Sequence, residues 1–333
     1  MRPRERVVFK VRTQHRIEQP RSDDVVGLRA HLEHDSLPWT DAAISGWVLD
    51  PDRKKMSKSK GNVVTPLDLL EEHGSDGVRY WAASGRPGAD TAFDAGQMRV
   101  GRRLAIKLLN ASRFVLAKAE PRGPVTALVD RGLLTSLARL IREATEDLDS
   151  YTYTRALERT ESFFWFFCDN YLELVKARRY GDHGEVGAGS ANSAMVVTLS
   201  ALLRLFAPFL PFVTEEVWSW WRPGSIHLAA WPTGVDVGRY LGEEDERGVL
   251  ALDVAAQVLG EVRKRKSEAQ RPLKTPVTRV LVRATPDQIA LLRECEADLM
   301  AAGLIERLEH VAGDPFEVVA ELAAEPLGKE SGA

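Results

Sequence analysis

Apolar residues at intervals of three and four run through the middle of the chain, from about residue 97 to residue 221. One stripe runs from Leu133 to Leu148, a second from Leu157 to Val175, and a third from Leu199 to Phe209. This spacing places apolar side chains on one face of a helix, and such a face must be buried against neighbouring helices. The sequence therefore predicts an antiparallel helical bundle as the largest part of a mainly α protein.

The pattern changes after a polar stretch that we interpret as a linker, at 233–244. Helical periodicity and β-branched or apolar runs then alternate, which is typical of a small α/β domain. The predicted elements are helices near 245–268 and 286–301 and strands near Val277–Val282, 304–311 and 316–322.

Composition excludes few functions. The 45 basic and 48 acidic residues give a net charge of -3, which does not exclude RNA because charge can concentrate on one face. Cys168 and Cys295 stand in no CxxC pattern, so we expect reduced thiols in a cytoplasmic protein and no protein-bound metal. No uninterrupted apolar run approaches ~20 residues, so no membrane span is expected.

A lysine-rich loop at residues 53–62 follows a predicted strand and precedes a predicted helix that should begin at Pro66 and end at Gly74. Lysine ammonium groups suit a polyphosphate, and Ser57 and Ser59 add neutral donors. Residues 53–62 contain no carboxylate that could act as an acid or base. The role of the loop would therefore be electrostatic rather than proton transfer. A solvated loop or a patch for phosphate backbones is the alternative when only the lysines are considered.

The amino-acid sequence of this loop resembles that of a known protein family. Lys55-Met56-Ser57-Lys58-Ser59 is identical to the KMSKS signature of class I aminoacyl-tRNA synthetases, and the flanking residues 61–66 resemble the same family. The similarity runs from about Ala30 to at least residue 280. Residues 45–52 and 74–81 resemble the valyl, isoleucyl and leucyl subgroup, and the segments most similar to the valyl members are 82–88, 90–94, 102–111 and 207–218.

The resemblance implies an architecture around the predicted bundle. It comprises the end of a Rossmann-type catalytic domain carrying the KMSKS loop, a stem-contact segment, a helical anticodon-binding domain and the α/β tail. The corresponding ranges are 28–66, 67–110, 111–232 and 245–333, with the linker at 233–244 and a divergent, unstructured start at 1–27.

The same resemblance implies a reaction, the ATP-dependent attachment of valine to tRNA(Val), with Mg²⁺ accompanying ATP as substrate. Lys58 matches the ATP-contacting lysine of the signature, and Lys55 is its other lysine. Residues Lys55, Met56, Ser57, Lys58 and Ser59 are therefore the expected ATP contacts.

The HIGH signature of a complete class I site is not found around any of the seven histidines. The valine pocket and the editing domain would also lie upstream in the family. We therefore expect this chain alone to be inactive and to need a separate N-terminal half. The alternatives are a non-catalytic tRNA-binding module, an inactive truncated product and, for specificity, isoleucine.

Candidate tRNA contacts fall in three basic clusters and one aromatic position, each of which could instead be an ordinary solvated or packed surface. They are Arg99, Arg102, Arg103 and Lys107; Arg178 and Arg179; Arg263, Lys264, Arg265 and Lys266; and Trp165 as a stacking platform.

Overall fold

The computed structural model describes residues 10–11, 22–36, 41, 43–44, 46–57, 59, 61–118 and 124–324. The predictions for residues 1–9 and 12–21 lie outside the described residues. Two compact units are present, and each draws on several stretches of chain. The first unit is Met1–Leu109, Glu143–Glu158 and Phe206–Trp220, and the second is Asn110–Arg142, Arg159–Leu205 and Trp221–Ala333.

Most of the described residues are helical, which confirms the predicted mainly α fold. The helices are α1 (Ser22–His34), α2 (Pro66–Ala83), α3 (Ala95–Leu116), α4 (Leu128–Asp149), α5 (Tyr153–Phe166), α6 (Leu172–Leu174), α7 (Lys176–Arg179), α8 (Glu185–Phe206), α9 (Pro211–Ser219), α10 (Gly234–Leu241), α11 (Glu246–Glu268), α12 (Pro286–Glu294) and α13 (Glu296–Gly303). The strands are β1 (Lys10–Val11), β2 (Ala43–Ile44), β3 (Val48–Leu49), β4 (Thr91–Ala92), β5 (Val277–Ala284), β6 (Leu308–Ala312) and β7 (Glu317–Leu322).

The first unit contains two short parallel strand pairs, β1 with β2 and β3 with β4. Helix α2 begins at Pro66, as predicted, because proline suits the first helical turn. It does not end at Gly74. Gly74 takes a non-helical conformation with φ 74° and ψ 159°, and the helix resumes beyond it as far as Ala83. Gly74 is therefore a kink, which only glycine adopts without strain.

A long-range contact in the first unit joins α2 to α9. The carboxylate of Asp76, which is buried, accepts hydrogen bonds from the backbone N–H groups of Phe212 at 3.1 Å and Val213 at 2.7 Å. Arg79 donates to the carbonyl of Pro208 at 2.9 Å. Asp76 thus caps the first turn of α9 from outside that helix, since those N–H groups have no partner within it.

In the second unit, the predicted apolar stripes are buried. The side chains of Leu133, Leu137, Phe164, Leu199 and Leu202 are fully enclosed. The second stripe is not one continuous α-helix, because a π-helical turn at Phe167–Tyr171 interrupts it. That turn keeps Phe167 and Tyr171 buried.

The tail contains a three-stranded sheet in the order β6-β5-β7, with β5 parallel to β6 and antiparallel to β7. The helix predicted over 286–301 is divided at Cys295 into α12 and α13. The stretch predicted as a linker forms α10, whose start carries a capping box between Thr233 and Asp236. Its apolar side chains Val237 and Leu241 are buried.

The tail and most of the bundle, residues 110–142 and 159–205, belong to the same compact unit. A Cβ on Gly132 of α4 would lie 2.1 Å from the carbonyl oxygen of Gly248 on α11, so the two backbones touch. Arg178 on α7 contacts Asp298 on α13. The bundle therefore does not bury its core alone, because helices of the tail pack against it.

Candidate functional site: the lysine-rich loop and its surroundings

The lysine-rich loop begins as the return arm of a short hairpin. Beyond β3, the N–H of Asp50 donates to the carbonyl of Lys54 at 2.9 Å, and the N–H of Arg53 donates to the carbonyl of Asp50 at 2.9 Å. Lys55 then forms an antiparallel bridge with Leu49. This arrangement fixes where the loop leaves the strand.

The Asp50 carboxylate closes the base of the loop. It is buried, and its two oxygens accept from the Lys54 N–H at 2.7 Å and from the Asn62 side-chain amide at 2.7 Å. These two hydrogen bonds hold the pKa of Asp50 below its ordinary value, with the Lys54 N–H as the larger cause. Asp50 is therefore an ionised anchor at neutral pH.

Asn62 joins the two ends of the loop. Its side-chain oxygen accepts from the N–H of Ser57 at 2.9 Å, and its amide nitrogen donates to Asp50 and, at 3.2 Å, to the carbonyl of Lys55. Gly61, with φ 68°, makes the turn that brings Asn62 back to these partners. We call Asp50 and Asn62 with these hydrogen bonds the loop clasp.

The structure places part of the predicted ATP site. The ammonium of Lys55 lies 4.2 Å from the centroid of the Trp47 ring, a cation–π distance. The hydroxyls of Ser57 and Ser59 are 3.3 Å apart. Lys58, the second predicted catalytic lysine, lies outside the described residues.

The described part of the loop can act electrostatically. Lys55 is exposed, and the Asp50 carboxylate at the base of the loop is already engaged in hydrogen bonds. Met56 is half-buried. The positive charge of Lys55, held against the Trp47 ring, can stabilise an anion electrostatically. This role needs no general acid or base.

The first basic cluster lies on α3. Arg99, Arg102 and Arg103 are exposed, and Lys107 is half-buried. Arg102 also donates to the carbonyl of Glu72. This helix face remains a predicted RNA contact.

Arg178 and Arg179 require a correction, since both are buried. The Arg178 guanidinium pairs with Asp130 at 2.7 Å and with Asp298 at 2.9 Å. The Arg179 guanidinium donates to the carbonyl of Val115 at 3.0 Å. Neither side chain reaches the surface to meet a phosphate backbone as predicted, because ion pairs hold Arg178 and a hydrogen bond to the Val115 carbonyl holds Arg179 inside the protein.

The residues of the third basic cluster, 263–266, differ in how exposed they are. Lys266 is buried, and its ammonium donates to the carbonyls of Leu273 and Gly303 at 2.9 Å each, so its assignment to RNA is also corrected. Burial lowers the pKa of Lys266. Its neighbours Lys264 and Arg265 are exposed.

Two further candidates are partly engaged within the protein. The Arg263 guanidinium donates to the carbonyl of Asp169 at 2.7 Å. Trp165 is half-buried, and its indole N–H donates to Glu161 at 3.1 Å. Both stay predictions as RNA contacts.

Comparison with known proteins decides the family. The family model described as tRNA synthetases class I (I, L, M and V) matches residues 25–94, and the anticodon-binding domain of tRNA ligase matches residues 130–282. Over 308 residues the chain is 53% identical to a valine–tRNA ligase of Thermobifida fusca, covering 91% of this chain and 34% of that protein. Over 304 residues it is 50% identical to a valine–tRNA ligase of Salinispora tropica, covering 86% of this chain and 35% of that protein.

The chain belongs to the class I aminoacyl-tRNA synthetases.

This synthetase chain spans about a third of the length of the curated relatives it matches. A solved structure shows the same fold. It is the ternary complex of the agnB2 LeuRS of Agrobacterium radiobacter K84 with tRNA and LeuAMS, with a TM-score of 0.53 and 19% identity. The match covers 87% of this chain and 35% of that one.

The loop clasp of the synthetase chain was missed by sequence reasoning. Asn62 belongs to the segment that carries the resemblance, but its amide was given no role. Asp50 stands in an Asp-Pro-Asp stretch, which by its sequence is typical of an ordinary turn. The sequence signal that could have found the clasp is a carboxylate placed between a predicted strand and a lysine-rich loop.

Among the described residues, no three His, Cys, Asp or Glu side chains are grouped so that they could hold a metal ion. One described helix, α8, is long and apolar enough to cross a membrane, but 67% of its apolar window is buried inside the protein, as in a core helix.

Proposed function

We propose that this chain is the carboxyl-terminal portion of a valine–tRNA ligase and that its lysine-rich loop serves the ATP-dependent activation of valine. The observation that carries the proposal is the KMSKS string on a closed hairpin loop, in a chain 53% identical to a valine–tRNA ligase. In this proposal the first unit supplies the end of a Rossmann-type domain and the stem-contact segment. The second unit supplies the anticodon-binding helices.

The mechanism assigned to the loop is electrostatic. When the valine carboxylate attacks the α-phosphate of ATP, negative charge grows on the leaving pyrophosphate. Lys55 and Lys58 stabilise that charge more in the transition state than in the ground state, and Mg²⁺ enters with ATP. The loop clasp keeps the hairpin closed, so Lys55 is positioned before ATP arrives.

The proposed partners are tRNA(Val) and a separate N-terminal half that carries the HIGH signature, the valine pocket and the editing domain. The anticodon-binding match over 130–282 supports tRNA as a partner. We also propose a cytoplasmic location, which is supported by Cys168 and Cys295, both buried and neither in a disulfide.

A second candidate function is a tRNA-binding module without catalysis. It is favoured by the second unit, which contains most of the anticodon-binding match, whereas residues 143–158 and 206–220 of that match lie in the first unit. In that case the lysine-rich loop would be an inherited feature that no longer meets ATP. An inactive truncated product would neither bind tRNA nor activate valine.

Complementation separates these functions. The chain is mixed with the portion of the Thermobifida fusca relative that precedes the matching region, and valine-dependent exchange of pyrophosphate into ATP is measured. We expect no exchange from either part alone and exchange from the mixture. Binding of tRNA(Val) without exchange in the mixture would establish the non-catalytic module, and loss of both would indicate an inactive product.

A further inference from the structure

Trp47 lies outside the KMSKS letters but contacts the first of their lysines. It stands directly before β3, on the arm of the hairpin opposite Lys55, which forms a bridge with Leu49. The Lys55 ammonium lies over the Trp47 ring, 4.2 Å from the ring centroid. Tryptophan is the aromatic side chain that attracts an ammonium most strongly. Trp47 therefore orients the side chain of an otherwise exposed lysine.

The partner of Lys55 differs in kind from that of the lysine before it. The Lys54 ammonium lies 3.5 Å from the Asp52 carboxylate, which offsets its charge. An aromatic ring attracts a cation through its quadrupole and carries no net charge, so it orients the Lys55 ammonium without neutralising it. The positive charge of Lys55 therefore stays available for an anion outside the hairpin, such as a polyphosphate.

The backbone of Trp47 is fixed on both sides. Its N–H donates to the Asp90 carboxylate at 2.7 Å, and its carbonyl accepts from the N–H of Thr91 at 2.8 Å. One residue earlier, a Cβ on Gly46 would lie 2.0 Å from the carbonyl oxygen of Ala89, so the two backbones touch. The Trp47 side chain therefore projects from a backbone that two hydrogen bonds and a close contact hold in place.

Orientation before ATP binds matters for a lysine. Its flexible four-carbon side chain samples many rotamers in solution, and ordering it costs free energy when it meets a ligand. A cation that is already held in place avoids part of that cost when charge develops on a leaving group. The loop clasp fixes the backbone of Lys55, and the Trp47 ring fixes the far end of its side chain.

We propose that Trp47 is a positioning residue for the activation of valine, which holds the Lys55 ammonium ready for the pyrophosphate that leaves ATP. The inference rests on the proposed function, since Lys55 needs a leaving pyrophosphate on which to act. Trp47 touches no reacting atom in this proposal and acts only through Lys55. Its removal should therefore have no effect on the rate once the Lys55 ammonium is absent.

A double-mutant cycle in the complemented mixture tests this dependence. The rate of valine-dependent pyrophosphate exchange is measured at saturating ATP and valine. Trp47→Leu should lower kcat about fivefold, as expected for loss of one exposed cation–π contact, with the KM for valine unchanged. In the Lys55→Ala background the same substitution should lower kcat no further. Trp47→Phe, which keeps a ring, should lower kcat at most about twofold.

Trp220→Leu is the matched control for loss of an indole. Trp220 lies in the same unit, is 37% exposed, and its indole N–H donates to Glu216 at 3.0 Å. This substitution should leave kcat unchanged in both backgrounds, because Trp220 belongs to the helical end of the unit rather than to the hairpin.

The contact itself can be measured without activity, by NMR of the full chain carrying lysine labelled with ¹³C at the ε position. The ring current of Trp47 should shift the ε-methylene protons of Lys55 upfield, because the ammonium lies over the ring. Lys55→Arg identifies the resonance by its loss. The shift should disappear in Trp47→Leu and persist in Trp47→Phe and Trp220→Leu.

The outcomes separate the inference from the proposed function. Absence of exchange from the unaltered mixture would contradict the proposed function and, with it, any positioning role of Trp47. Exchange in that mixture, with an equal loss from Trp47→Leu in the presence and absence of Lys55, would overturn the inference and leave the proposed function standing. An unshifted Lys55 resonance in the unaltered chain, or an unchanged kcat in Trp47→Leu, would overturn the inference as well.

Discussion

At the scale of single residues, the loop clasp turns a flexible lysine-rich sequence into a closed hairpin. The Asn62 side chain bridges the backbone of Lys55 and Ser57 and the carboxylate of Asp50. An amide suits this position because it donates and accepts at once, which neither aspartate nor leucine can do. The geometry of the loop therefore depends on one side chain outside the KMSKS letters.

Replacement of Asn62 tests this dependence. In Asn62→Ala, the Ser57 N–H loses its acceptor, and its amide hydrogen exchange should accelerate about tenfold, the value of one hydrogen bond. Hydrogen–deuterium exchange with mass spectrometry measures the loop peptide directly. Asn110→Ala, at an exposed position on α3, is the control and should leave that peptide unchanged. Equal exchange in both variants would show that the clasp does not order the loop.

Asp50 gives the loop a pH dependence. Because hydrogen bonds hold its pKa below the ordinary value of 3.8, its stabilising effect is present at neutral pH and is lost as pH falls through the lowered value. We expect loop exchange, corrected for its intrinsic pH dependence, to stay constant from pH 7 to about 4 and to rise below it. In Asp50→Asn the rise should disappear. A rise centred near pH 6 would assign the effect to another group.

At the scale of elements, the contact between α2 and α9 depends on a single buried carboxylate. Asp76 satisfies two N–H groups in the first turn of α9, across more than a hundred residues of sequence. Burial raises the pKa of Asp76 in spite of those donors, so ionisation is not what makes the cap favourable. A neutral amide keeps one of the two acceptor oxygens and should therefore preserve part of the cap.

Substitutions at Asp76 separate shape from charge. Asp76→Ala should lower the free energy of unfolding by about 1–2 kcal/mol, as expected for loss of a helix cap. Asp76→Asn, which keeps one acceptor oxygen, should lose less than half of that. Urea denaturation followed by circular dichroism measures both. If the asparagine variant is the less stable of the two, the negative charge is essential to the cap.

The elements show where sequence patterns were sufficient. Spacings of three and four predicted α4, α5 and α8 because burial of one helical face determines them locally. The same pattern could not show the π-helical turn at Phe167–Tyr171 or the kink at Gly74, because the spacing of apolar residues does not report a local change in helix geometry. It also could not reveal that Arg178 and Arg179 point inward, since their partners Asp298 and Val115 lie far along the chain.

At the scale of the whole molecule, the tail is part of the core of the second unit rather than an appended domain. The Arg178 guanidinium joins Asp130 of α4 to Asp298 of α13, and α4 and α11 meet backbone to backbone at Gly132 and Gly248. The sequence predicted the elements of the tail but not this attachment. The attachment rests on a buried charge network, which has no periodic signature.

Breaking the network should therefore destabilise helices and tail together. Arg178→Met leaves two buried carboxylates unpaired and should cost about 3–5 kcal/mol. Chemical denaturation, with hydrogen exchange followed separately in α4 and β5, measures the loss. Arg265→Met, at an exposed position on α11, is the control. Destabilisation confined to β5 would show that the tail unfolds independently.

The KMSKS letters predicted the chemistry of the lysine-rich loop, whereas its clasp appeared only in three dimensions. The central claim is that this loop forms one half of an activation site. Its most direct test is the rate of valine-dependent pyrophosphate exchange in the complemented mixture, with Lys58→Ala compared with the unaltered chain. A transition-state role predicts a fall in kcat of about 10²–10³-fold with little change in the KM for valine. An unchanged kcat would contradict the claim.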